Sequence, residues 1–226
     1  MIADRSAGRT LGALLVLQLA GLIVPFIMLD VIYAPPDFVH SAALNARRIQ
    51  SALVLLLANG ALATGISLYV YPVLRTASET AARWLMILGA AWLLLQVVDN
   101  TRVMEMVTLS RNAVGAAGAV GDALRSMAPV VASGRRFTHY STLLAIGSWM
   151  LVFYGALWRA RAVPQWVGGL GVVVALLHIG GVSLPVIAGY SAVRAVAPGL
   201  AFSHLAVIGT LFARGFALPR APSERG

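Results

Sequence analysis

The feature that most constrains this chain is a series of long, nearly uninterrupted apolar runs. The first reads LGALLVLQLAGLIVPFIML, and comparable runs recur up to the C-terminal region. About 20 apolar residues in helical form cross the roughly 30 Å hydrocarbon layer of a bilayer. In hydrocarbon the backbone must satisfy its own hydrogen bonds, so runs of this length are helices. Composition agrees: 59% of the residues are hydrophobic and 11% are charged, and mean hydropathy is +0.84. So few polar side chains could not cover the surface of a soluble domain of this size.

The expected fold is therefore all-α: a polytopic integral membrane bundle forming one transmembrane domain over residues 1–226. Six spans are expected, at about 11–29, 51–74, 82–106, 139–158, 166–188 and 198–216. The longest connection, 110–137, contains GAAGAVGDALRSM and reads as a flexible or weakly helical external loop. Its Gly115, Gly118 and Gly121 are spaced GxxGxxG. No strand precedes them, so they do not form a dinucleotide-binding fingerprint. The turns at 75–81 and 159–165 are short. The first apolar run is longer than a signal-peptide core and lacks a clear small-x-small cleavage site, so it is expected to be retained.

All 17 basic residues are arginine, and the isoelectric point is about 11.2. The arginines stand singly or in pairs at the ends of apolar runs, as orientation signals do. No basic stretch is interleaved with aromatics, so no nucleic-acid partner is expected. Nine arginines fall on the side of the termini and eight on the other. The nine lie flush with helix ends, where the orientation rule is strongest. Both termini are therefore expected in the cytoplasm, with Trp84, Trp158 and Trp166 at that interface. Cysteine is absent, which excludes disulfides, thiolate metal sites and cysteine nucleophiles.

Short motifs resemble those of a known family. RSAGRTLGALL at 5–15 resembles the opening R-x-A-G-x-x-x-L of the uncharacterised bacterial membrane proteins grouped as domain of unknown function 4386 (DUF4386). His139 in FTHYSTLLAIG matches the histidine that often opens the fourth helix there. VPQWVGGLG at 163–171 resembles the family's L-P-x-W-x-G-x-L-G turn, with Val163 for the usual leucine. Tyr140 stands where a second histidine is often found. The resemblance covers nearly the whole chain in helix count and loop order. It implies the helical bundle and a bacterial cytoplasmic membrane location, and it supplies no catalytic residue.

The polar residues inside the spans carry the rest. LLLQVVDNTRVMEM at 93–106 begins as an apolar helix and then brings in Asp99, Asn100, Arg102 and Glu105. Asp99 lies 15 residues past Trp84, or about 22 Å at helical rise. Arg102 and Glu105 follow in steps of three, so ion pairs Asp99–Arg102 and Arg102–Glu105 on one face are expected. Asn59, His139, His178 and His204 fall within other spans. Ionisable groups at such depth are costly and usually face a bundle interior or a wet cavity. A polar pocket in the outer half of the bundle is expected from Asn59, Asp99, Asn100, Arg102, Glu105, His139, His178 and His204. The competing expectation is structural: charges that surface at the headgroups, and histidines, Gln18 and Asn59 that hydrogen-bond neighbouring helices. His178 and His204 lie on consecutive antiparallel helices, a pattern that can ligate haem iron. The three histidines with Asp99 could likewise gather round a metal. No second signature and no HxxxH spacing accompanies either, so no cofactor is expected. Pro25 and Pro185 each interrupt a span, and a bend in the fifth helix is expected at Pro185.

Three functions follow as expectations. The first is a non-enzymatic binder or carrier of a small apolar molecule or lipid. The second is a membrane-embedded enzyme on a lipid-soluble substrate, using Asp99 with His139 or His178. The third is a structural or accessory subunit. The lipid bilayer is the expected partner in all three.

Overall fold

The computed structural model describes residues 2–33, 38–188 and 193–218, and the side chains of 5–32, 38–184 and 198–216. The elements run in the order β1 Ile2–Asp4, α1 Arg5–Met28, α2 Asp30–Tyr33, α3 Phe38–Leu44, α4 Ala46–Ala77, α5 Glu79–Val114, α6 Gly118–Arg159, α7 Gln165–Ala188, α8 Val193–Arg214 and β2 Phe216–Leu218. Among the described residues, five helices (α1, α4, α5, α6 and α7) are long and apolar enough to cross a membrane. Each of the first five expected spans lies mainly inside one of them. The sixth expected span overlaps α8.

The six long helices form a closed ring. Going round it, α1 packs on α4, α4 on α5, α5 on α6, α6 on α7, α7 on α8, and α8 back on α1. The strands flanking the ring pair antiparallel, Ile2 with Leu218 and Asp4 with Phe216. The two ends of the described chain therefore meet at one end of the bundle. Close packing helps the ring shut: a Cβ on Gly8 of α1 would lie 2.5 Å from the Gly215 Cα just past α8.

Two connections differ from the expectation. The turn expected over 75–81 is Ser78 alone. Its extended backbone ends α4, and its Oγ accepts from the Ala81 N–H at 3.2 Å, capping α5. The external loop expected over 110–137 is not a loop. α5 continues to Val114, the chain turns through 115–117, and α6 starts at Gly118, whose φ of +60° suits glycine. Ala, Leu, Met and Arg in this segment are good helix formers. Leu124, Ala128, Val131 and Ala132 also repeat at helical spacing and pack against a core. Gly, Ser, Asp and Arg lower the hydropathy of the segment without breaking its helical periodicity, and its exposed face mixes them with Val120, Met127, Val130 and Phe137. With 36 and 42 residues, α5 and α6 are about 54 and 63 Å long.

The interior divides into two apolar clusters. The larger holds Trp92, Trp149, Phe153 and Tyr154 between the long helices. Trp149 stacks on Phe153 with ring centroids 5.0 Å apart, and its Nε1–H donates to Ser67 Oγ at 2.8 Å. The smaller lies toward the α5–α6 turn, where Leu29, Ile32, Phe38, Val39 and Ala42 cover Val103, Met106 and Val107. Ser110 pins α3 to α5 there. Its Oγ donates to the Val39 carbonyl and accepts from the Ala43 N–H at 2.8 Å. Arg48, expected as an orientation signal in a connection, is inside α4 and donates to the Ile27 carbonyl at 2.7 Å. That bond closes the C-terminal end of α1. The bend expected at Pro185 concerns a side chain outside the described residues.

Candidate functional site

Where the two clusters meet, α5 and α6 exchange a set of polar contacts centred on Asp99. Its carboxylate is buried, with the side chain 3% exposed. The Thr138 hydroxyl donates to Oδ1 at 2.9 Å. His139 Nδ1 lies 3.3 Å from Oδ2, and Arg135 Nε lies 3.6 Å from Oδ1. Arg135, Thr138 and His139 sit at i, i+3 and i+4 on α6, so helical geometry turns all three toward α5. The Phe26 ring of α1 meets His139 edge-on at 5.8 Å. One residue along, Asn100 donates to the Leu53 carbonyl of α4 at 2.9 Å and accepts from Gln96 Nε2 at 2.9 Å. Thr142 donates to the Leu95 carbonyl at 3.2 Å.

Beside this network is a small cavity, about 10 Å³, lined by residues of α1, α4, α5 and α6 together with Leu29. That is close to the minimum one water needs. Leu22, Phe26, Leu29, Leu56 and Trp92 make its apolar wall, and Asn59, Gln96, Asp99, His139 and Thr142 its polar wall.

Asn59 is almost fully buried, and among the described residues neither atom of its amide has a hydrogen-bond partner. The same is true of Gln18 on α1. The interhelical hydrogen bonds expected of these two side chains are not formed. The Asn59 amide packs against the backbone of α1: a Cβ on Gly21 would lie 2.7 Å from Asn59 Oδ1. A buried polar atom without a partner costs about 1–3 kcal/mol, so each of these atoms gains from a hydrogen-bonding neighbour, water included.

The expected pocket residues therefore separate. Asn59, Asp99 and His139 line the cavity, and Asn100 supports it from α5. Arg102 and Glu105 do not join it. They pair with each other at 2.8 Å on an exposed face. Steps of three fall short of a helical turn by about 60° each, so the face drifts away from Asp99. The counter-charge of Asp99 is Arg135, not Arg102. His178 and His204 are also elsewhere. His178 Nε2 lies 3.2 Å from the Leu143 carbonyl, and His204 Nδ1 lies 2.8 Å from the Tyr154 hydroxyl. Leu143 and Tyr154 are 11 residues apart on α6, about 16 Å, so the two imidazoles are anchored at different levels. Among the described residues no three His, Asp or Glu side chains gather closely enough to hold a metal ion.

Reading the sequence missed Arg135, Thr138, Gln96, Phe26 and Trp92. Arg135 was hidden by the supposed loop. Once 118–137 is a helix, its place one turn before His139 gives it away.

The family model described as Domain of unknown function (DUF4386) matches residues 10–218. The chain belongs to this family. Its match covers α4 to α8 in full and α1 from its second turn, and therefore the whole Asp99 site. No curated protein and no solved structure matches the chain.

Proposed function

We propose that this DUF4386 member is a multi-pass protein of the bacterial cytoplasmic membrane that binds or carries a small apolar molecule or lipid without transforming it. In this reading α8 is a sixth crossing, and both termini lie in the cytoplasm. The α5–α6 turn then projects on the far side, because both helices exceed the roughly 30 Å hydrocarbon layer. The observation that carries the reading is the cavity itself: apolar side chains on one wall, and Asn59, Gln96, Asp99 and His139 on the other. Ligand sites combine an apolar lining with a few polar groups in this way. The cavity is the closed state of the site. Pro25, beside it, offers no N–H to the Gly21 carbonyl, so α1 is weakest where it must move for a ligand to enter.

Protein purified in mild detergent, extracted with solvent and analysed by mass spectrometry, tests this. A stoichiometric small molecule should accompany the native chain and be absent from Leu56→Trp, which fills the cavity. Equal content in both rejects the site.

One observation favours an enzyme instead: the Asp99–His139 contact, an arrangement that can orient an imidazole for proton transfer. His178, held to Leu143, takes no part in it. Under this alternative, Asp99→Asn abolishes turnover of a lipid-soluble substrate and leaves the fold intact.

A further inference from the structure

We infer that the ligand of this site is a neutral amphiphile: one aliphatic chain whose head both donates and accepts hydrogen bonds, as a hydroxyl or a primary amide does. This deepens the binding reading and rests on it.

The argument comes from which polar groups are already engaged. The Asp99 carboxylate meets the Arg135 guanidinium, the Thr138 hydroxyl and the His139 imidazole. It is thus no bare anion awaiting a cationic ligand. Among the cavity's lining residues there is no arginine to receive an anionic head. What is not engaged is neutral. The amides of Gln18 and Asn59 present two carbonyl oxygens and two NH₂ groups, all four heavy atoms buried and without partners among the described residues. Such a set accepts and donates in equal measure. A carboxylate head would leave the amide oxygens unanswered, and an ammonium head would leave the amide N–H groups unanswered.

The placement fits a ligand with a head and a tail. Asn59 is on the cavity wall beside Leu22. Gln18 lies on α1 four residues before Leu22, on the same face and about 6 Å deeper. Gly21 leaves the space that the Asn59 amide occupies. Leu22, Phe26, Leu29 and Leu56 line the cavity beside the Asn59 amide.

Trp92 lines the cavity and serves as reporter. Four probes with the same brominated tail are titrated into protein in nanodiscs: 11-bromoundecanol, 1-(11-bromoundecanoyl)glycerol, 11-bromoundecanoate and (11-bromoundecyl)trimethylammonium. Bromine quenches nearby indoles, and the Trp92→Phe protein supplies the background. The alcohol or the glyceride should quench Trp92 saturably, at least tenfold more tightly than either charged probe. Tighter binding of the glyceride points to a membrane lipid as the source, and tighter binding of the alcohol to a free solute. Gln18→Leu should weaken the neutral probes at least tenfold. This change replaces an unpartnered buried amide with an apolar side chain of similar size, so folding should survive it. If that protein does not fold, Asn59→Leu carries the same test. Charged probes that bind as tightly, or neutral probes indifferent to both substitutions, overturn the inference and leave the site standing. No saturable quenching by any probe overturns the site as well.

Discussion

Arg135→Leu tests whether the Asp99 site is organised as described. Arg135 and Asp99 lie 3.6 Å apart with side chains 9% and 3% exposed. At an effective dielectric constant of about 20, that separation corresponds to about 4–5 kcal/mol of attraction. Removing the guanidinium leaves the carboxylate buried with only Thr138 and His139, and breaking a buried pair typically costs about 3–5 kcal/mol. The two figures agree. At roughly 2–4 °C per kcal/mol for a chain of this size, the apparent Tm should fall by about 6–20 °C. Asp99→Leu on top of Arg135→Leu removes both charges and should recover most of that loss, because an apolar pair is often neutral in place of a buried ion pair. The assay is thermal unfolding in mild detergent for both single variants, the double variant and the parent, read as a double-mutant cycle. A Tm for Arg135→Leu within about 2 °C of the parent, or a double variant no better than Arg135→Leu, refutes the pairing.

Other expectations are simpler. Neutralising the exposed Arg102–Glu105 pair by Arg102→Gln should change stability by less than about 1 kcal/mol; a loss as large as that of Arg135→Leu would return Arg102 to the site. Gly147→Ala would set a Cβ 2.8 Å from His178 Cδ2 and should cost about 1–3 kcal/mol by overpacking, measured by the same unfolding assay. Trp149→Phe removes the donor to Ser67 and part of a buried ring, and should cost about 2–4 kcal/mol. Because the chain has no cysteine, single cysteines report topology directly. Ala116→Cys should react with an impermeant maleimide on intact cells, and Thr76→Cys only after permeabilisation. Reaction of both without permeabilisation would reject the proposed crossing of α5.

The long helices were legible because apolar length is a one-dimensional property. Their ends were not, where helix continues through a stretch of lower mean hydropathy. Residues 118–137 show this: Gly, Ser and Arg lower the hydropathy, while Leu124, Ala128, Val131 and Ala132 keep the inward stripe. That error concealed the partner of Asp99. The depth of Asp99 was readable by counting from Trp84, but its partner is set by which helix faces it, and spacing along α5 cannot report that. Gln18 and Asn59 were recognised as buried polar residues. What lies beside each amide depends on how α1 packs against its neighbours, as Gly21 does against Asn59, so it appears only in three dimensions.

The closing of the ring by α1 and α8, with β1 laid against β2, bears on how the protein is made. Of the two helices that flank α1 in the ring, α4 follows soon after it in the chain and α8 comes last of the described helices. Until α8 arrives, the flank of α1 that carries Gly8 and Gly12 has no protein to cover it. Every residue placed at the Asp99 site belongs to α1, α4, α5 or α6 or to Leu29, all of which precede α8 in the chain, so the site needs no residue of the helix that seals the ring. The seam between first and last helix is also where the order of the chain matters least. A permuted gene that starts at Glu79, breaks the Ser78 turn and links the old ends through β1 and β2 should fold to the same ring.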